Sequence, residues 1–175
     1  PASMRHEFDQ YGELEFKTDP FDLTDADSEF VVSYFVNVYK KHIVFEFLFT
    51  NTVEGMDIEN VSVMLEDADI VETIPMEIVQ YPQTVTLYTV IKRDKPMMFA
   101  RYKSSLLYTH DGNEEEWELG DVVLGVSIWV HKVKIASANE IWETLKNSEI
   151  AAVVKIPNAK GTAAGISMIE NALKM

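Results

Sequence analysis

Four histidines, His6, His42, His110 and His131, are the side chains of this 175-residue chain best suited to proton transfer or metal ligation near neutral pH. They are scattered, without a spacing that brings ligands together, and no cysteine adds a thiolate. His42 opens a strand-like run and His131 closes one, so each reads as an ordinary strand-end residue. The run Asp25-Ala26-Asp27-Ser28-Glu29 begins like a calcium loop but lacks the glycine at the sixth position and the glutamate at the twelfth. Glu114, Glu115 and Glu116 precede Trp117 in a stretch that reads as a solvated charge run. There is no phosphate-cradling glycine loop and no nucleophile elbow. The expectation is therefore no enzyme, with no catalytic residue, no metal and no cofactor.

The elements that would position any site are mostly strands. Phe45, Phe47 and Phe49 recur with period two, as do Val61, Val63 and Leu65, and side chains alternate across a strand. Residues 50–59 between these runs are polar and contain Gly55, which predicts a loop longer than a two-residue hairpin turn. Further strands are predicted over 30–39, 84–91 and 97–108, with one over 69–79 broken by Pro75. The alternation of Val122, Leu124, Val126, Ile128 and Val130 predicts another, after a polar loop at 110–116. Trp117 and Trp129 fall on these strands and read as sheet packing. Lys92, Arg93 and Lys95 read as a solvated turn, with contact to an acidic partner the less favoured alternative.

The pattern changes at Ser137. Ser137 and Glu140 form a capping box, and Ala138, Ile141, Trp142 and Leu145 make a helical stripe behind it. A short strand at 149–156 and a helix capped by Thr162, with Ile166, Ile169 and Leu173 on one face, complete the tail. The fold class is mainly β: an immunoglobulin-like antiparallel β-sandwich over 21–135, then the start of a small α/β subdomain over 136–175. Residues 1–20 are read as a tag remnant, Pro1-Ala2-Ser3-Met4, followed by an acidic, solvated segment.

Charge narrows the partners. Residues 1–80 hold 4 Lys and Arg against 18 Asp and Glu, which accounts for the whole net charge of −14. Such a surface repels nucleic acid and anionic lipid, which recruit basic patches. No apolar run approaches the roughly 18 residues of a membrane span. A cysteine-free sandwich fits a reducing, cytoplasmic compartment. Asn60-Val61-Ser62, a glycosylation-type triplet, sits inside a predicted strand and reads as strand chemistry. An immunoglobulin-like adhesion module remains the alternative.

The polar residues among the strands carry a family resemblance. In chain order they are Leu23-Thr24-Asp25-Ala26-Asp27-Ser28-Glu29-Phe30, His42-Ile43-Val44-Phe45-Glu46-Phe47, Thr50-Asn51-Thr52, and residues 58–66 with Glu59-Asn60-Val61-Ser62-Val63. Together with residues 114–122 and Ala138-Asn139-Glu140-Ile141-Trp142-Glu143, these resemble the appendage domain of coatomer gamma subunits over roughly residues 20–175. Gly120 and Val123 depart from the family's pattern. Residues 166–175 resemble the first helix of its platform subdomain, which in the family continues beyond the point where this chain ends at Met175.

The resemblance implies a non-catalytic scaffold on Golgi membranes and coated vesicles, acting in Golgi-to-ER and intra-Golgi transport. Implied partners are other coatomer subunits and accessory proteins such as Arf GTPase-activating proteins, without nucleic acid and without direct membrane insertion. It also implies a partner-binding role for Trp142, the tryptophan of the linking helix. From the residues alone Trp142 either completes the core stripe or stands exposed as an anchor, since tryptophan offers rigid apolar area with one donor.

Overall fold

The period-two rows become the facing surfaces of two antiparallel sheets in a computed structural model that describes residues 6–93, 99–128 and 166–167. The strands are β1 (Leu14–Lys17), β2 (Phe21–Asp22), β3 (Phe30–Tyr39), β4 (His42–Asn51), β5 (Ile58–Leu65), β6 (Ile70–Ile74), β7 (Met76–Val79), β8 (Thr84–Lys92), β9 (Ala100–His110) and β10 (Asn113–Leu124). The larger sheet runs β1-β3-β4-β8-β6, with β2 pairing β3, and the smaller runs β10-β9-β5-β7. Phe45, Phe47, Phe49, Val61, Val63 and Leu65 all point inward and are fully or almost fully buried. The β-sandwich expected from the sequence is the observed fold.

Polar side chains rivet the two sheets together. Thr89 of β8 donates to the Val63 carbonyl of β5 at 2.7 Å, deep in the core. The Tyr34 hydroxyl of β3 reaches both the carbonyl (3.4 Å) and the amide (3.2 Å) of Val123 in β10. Asn51 at the end of β4 donates to the carbonyls of Met56 (2.7 Å) and Val79 (3.4 Å) and accepts from the Val53 amide (3.1 Å). Each satisfied buried group contributes roughly 1 kcal/mol, and each would cost more than that if left unpaired.

Register in the smaller sheet is reset at two bulges. Asn60 adopts φ 52°, a left-handed conformation that asparagine tolerates better than most residues, and the β5 ladder shifts between Glu59 and Ser62. The extra residue lets both Ile58 and Val61 face the core. In β10 the shift lies between Glu118 and Asp121, and Leu119 and Val122 are again both buried. Gly120 sits in this bulge, where a Cβ would lie 2.7 Å from the Leu23 carbonyl oxygen. A side chain at this position would have to displace that carbonyl.

The structure differs from the sequence reading in three places. The acidic stretch after His110 is a strand, not a loop: Asp111 (φ 48°) and Gly112 (φ 77°) turn the chain in two residues, so β10 begins at Asn113. An Asp-Gly pair between alternating runs is the signature of such a turn. The strand expected over 122–130 is formed only to Leu124, where β10 ends; Val126–Ile128 form a 3-10 turn, and residues 129–130 lie outside the described residues. The N-terminal segment is not a solvated tail. Phe8 is 1% exposed within a 3-10 turn over His6–Tyr11, and β1 pairs β3. Pro75 does interrupt the 69–79 run, and there the chain passes from the larger sheet (β6) to the smaller (β7).

The chain divides into two compact units, Pro1–Leu124 and Gly125–Met175. The first is the sandwich. Of the second, the described residues are 125–128 and the helical pair 166–167, so the capping box, the predicted strand at 149–156 and Trp142 lie outside the described residues.

Candidate functional site

The residues that first suggested chemistry are dispersed. His42 packs against Tyr11 in a tilted arrangement at 4.4 Å between ring centroids, and His110 lies 3.9 Å from the Asp111 carboxylate at the β9–β10 turn. His131 lies outside the described residues. Among the described residues no group of three or more His, Asp and Glu is arranged to hold a metal ion. The calcium-like segment instead closes a loop. Thr24 accepts from the Val32 amide (2.8 Å) and donates to the Phe30 carbonyl (3.0 Å), while the Thr52 hydroxyl is shared between the carbonyls of Glu29 (2.7 Å) and Ser28 (2.9 Å).

The shifted titrations are structural. Tyr11 is pushed up to about 12 by burial and by its hydrogen bond to Glu72. Tyr108 is likewise raised to about 12 by burial and by donating to Glu115 at 2.9 Å. Burial also raises Tyr34, Tyr39 and Tyr102. A tyrosine held neutral beside a carboxylate is a good hydrogen-bond donor and a poor base.

What remains is surface, and the two sheets present unlike outer faces. On the larger sheet, Val44, Val90, Tyr39 and Tyr88 point outward yet are buried, because Phe8, with Tyr11, Leu14 and Ile74 beside it, packs over them. Next to this patch Glu46, 4% exposed, accepts from Lys17 at 2.8 Å and from Asn37 at 3.3 Å, and the Lys17 ammonium lies 4.3 Å from the Phe35 ring centroid. The lysine is thus held against both a carboxylate and a ring at the margin of the covered patch.

The smaller sheet's outer face is an open, shallow groove of about 660 Å³ lined by Met64, Lys103, Ser105, Leu107, Glu116 and Glu118 among others. Cross-strand register builds it: Ser62, Leu107 and Glu116 form one row, and Met64, Ser105 and Glu118 the next. Met64 is 41% exposed there. At the far end Lys103 pairs with Glu66 at 3.8 Å and Arg101 with Asp121. Sequence reasoning missed this face because it took 110–116 for a loop, which hid the alternation of Glu114, Glu116 and Glu118 on one side of a strand.

A family model described as the coatomer gamma subunit appendage platform subdomain matches residues 2–123. The match falls on the sandwich unit, while residues 136–175, expected to begin a platform, lie beyond it. Among similar proteins, human coatomer subunit gamma-2 is 28% identical over 155 residues, covering 78% of this chain. Rat coatomer subunit gamma-1 is 27% identical over 157 residues, and the gamma-1 subunit of rice is 21% identical over 157. The chain spans 18% of the length of each of these relatives. Among solved structures, the GAE domain of yeast GGA1 aligns with 61% of this chain and 98% of its own at a TM-score of 0.41 and 13% identity. The GAE domain of GGA2p from Saccharomyces cerevisiae aligns with 62% of this chain and 97% of its own at a TM-score of 0.43 and 14% identity.

Proposed function

The chain belongs to the coatomer gamma appendage platform family, and on that premise we propose that it is a non-catalytic docking module of a vesicle coat. In this reading it recruits accessory proteins, Arf GTPase-activating proteins among them, during Golgi-to-ER and intra-Golgi transport. It rides on the cytoplasmic side of Golgi membranes and coated vesicles as part of a subunit held by other coatomer subunits. The observation that carries the reading is the family match along residues 2–123, which takes in the whole run of strands up to Val123. No helix among the described residues is long and apolar enough to cross a membrane, which agrees with peripheral attachment.

Trp142 is proposed as the partner-binding anchor. Interaction hot spots are enriched in tryptophan, and removing one typically costs at least about 2 kcal/mol of binding. The test uses the complete subunit that carries this chain. Trp142→Ala is expected to leave the unfolding midpoint in place and to abolish capture of a purified Arf GTPase-activating protein. A collapse of the unfolding midpoint would instead assign Trp142 to a core, and unchanged capture would remove it from the site.

A further inference from the structure

We propose that the open outer face of the smaller sheet docks an extended basic segment of a partner protein, with one aliphatic side chain seated between Met64 and Leu107. Three observations converge on this occupant. First, Glu114, Glu116 and Glu118 alternate along β10 and therefore project from the same side of one strand, opposite Thr109, Leu107 and Ser105. All three are exposed, and among the described residues their carboxylates have no ion pair or hydrogen bond. Like charges held in a row repel one another, and a cationic partner relieves that repulsion.

Second, the basic side chains on the same face are already engaged. Lys103, at one end of the groove, pairs with Glu66 and Arg101 pairs with Asp121, so among the described residues neither is ion-paired with the glutamate row. The row is thus left as an acidic strip beside the apolar spot made by Met64 and Leu107. Third, the spacing suits an extended chain. Alternate residues of a strand lie roughly 6.6 Å apart, so Lys or Arg at every second position of a bound segment would meet successive glutamates. A face of this sign disfavours phosphate-bearing partners, whether nucleic acid or anionic lipid. Complementary charge supplies encounter rate and register, and the aliphatic contact supplies discrimination.

The inference does not rest on the coat assignment or on Trp142. The probe is a labelled synthetic peptide in which Lys alternates with Ser around a single central Leu, titrated by fluorescence anisotropy against the full 175-residue chain. The Glu116→Lys/Glu118→Lys variant is expected to weaken binding about tenfold or more, the effect of two exposed pairs turned to repulsion. The Glu13→Lys/Asp19→Lys variant makes the same change in net charge at exposed residues elsewhere and is expected to change binding less than about twofold, with raised salt weakening both. Met64→Ser, and the peptide lacking its Leu, are each expected to lose about threefold, a modest share of one buried aliphatic contact. Should the reversal variant lose its unfolding transition, Glu116→Gln/Glu118→Gln carries the same test without repulsion.

Equal weakening by the two charge-reversal variants would overturn the proposal, because it would show attraction to overall charge alone. Equal binding of the Leu-free peptide would overturn the apolar seat. A concentration-dependent dimer dissolved by Glu116→Lys/Glu118→Lys would assign the face to a second copy of the chain and likewise overturn it. Capture of an Arf GTPase-activating protein by the complete subunit that survives these substitutions leaves the coat reading standing whatever the peptide does.

Discussion

The outer faces of the two sheets solve the same problem in opposite ways. A sheet whose inner side is packed still has an outer side, and that side must be polar, covered or used. The larger sheet is covered. Its outward Val44, Val90, Tyr39 and Tyr88 form a second small core under Phe8, and the ring centroids of Phe8 and Tyr88 are 5.1 Å apart. The smaller sheet is left open, with Met64 and Leu107 beside an acidic strand and nothing among the described residues packed over them. One face spends its apolar area on stability, and the other keeps it accessible. Binding surfaces belong on the second kind, since a covered face must first lose its cover.

The sharpest way to break this contrast is to remove the cover. Phe8→Ala is expected to destabilise the chain by about 3–4 kcal/mol, because the cavity lies between elements that cannot collapse together. Met64→Ala on the open face should change stability by less than about 0.5 kcal/mol. Urea unfolding of both variants measures the difference, and equal effects would erase the distinction between the faces.

The ionic groups divide in the same way. Lys17→Met removes the ammonium from the Glu46 carboxylate, whose side chain is 5% exposed, leaving the Asn37 amide as a weaker neutral donor, and is expected to cost about 2 kcal/mol. Glu118→Gln, on the exposed row, should be neutral or slightly stabilising, by up to about 0.5 kcal/mol. Gly120→Ala probes the bulge that lets β10 carry its glutamates outward while Leu119 and Val122 stay buried. Its Cβ would press on the Leu23 carbonyl, and a loss of about 1–2 kcal/mol in the same unfolding assay is expected.

The smallest effect concerns the tyrosines. Tyr11, beside the covered patch, and Tyr108, next to β10, are both raised from 10.0 to about 12 in the folded chain. A raised folded value means the native state holds its proton more tightly. Their contribution is therefore complete below pH 10 and fades as pH rises towards 12. Stability measured across that window should fall, and Tyr11→Phe or Tyr108→Phe should each flatten part of the slope. An unchanged slope in both variants would place the alkaline transition elsewhere.

Several features were legible in the residues. Period-two rows identify β4, β5 and β8, and Pro75 marks where the chain leaves one sheet for the other. The polar residues of Thr50-Asn51-Thr52 and Asn60, which carry the family resemblance, prove to be structural: Asn51 ties a loop to the opposite sheet, and Asn60 sets a bulge. They mark the scaffold because their positions depend on local backbone geometry. Phe8 was not legible. A single phenylalanine in an acidic segment has no periodicity to declare its burial, and its partners lie more than thirty positions away at Tyr39, Val44, Tyr88 and Val90.

By itself the sequence determined the fold class, the family and the absence of the residue spacings that common metal and nucleophile chemistry require. Those depend on short-range alternation and on local motifs, which a linear string records directly. Only the tertiary structure decided which outer face is sealed and which is open. That outcome depends on where a distant segment comes to rest and on a two-residue turn at Asp111 and Gly112 that converts an apparent loop into an acidic edge strand. Packing between remote parts of the chain leaves no periodic trace in either part, so the surface available for binding emerges only when the sheets are assembled.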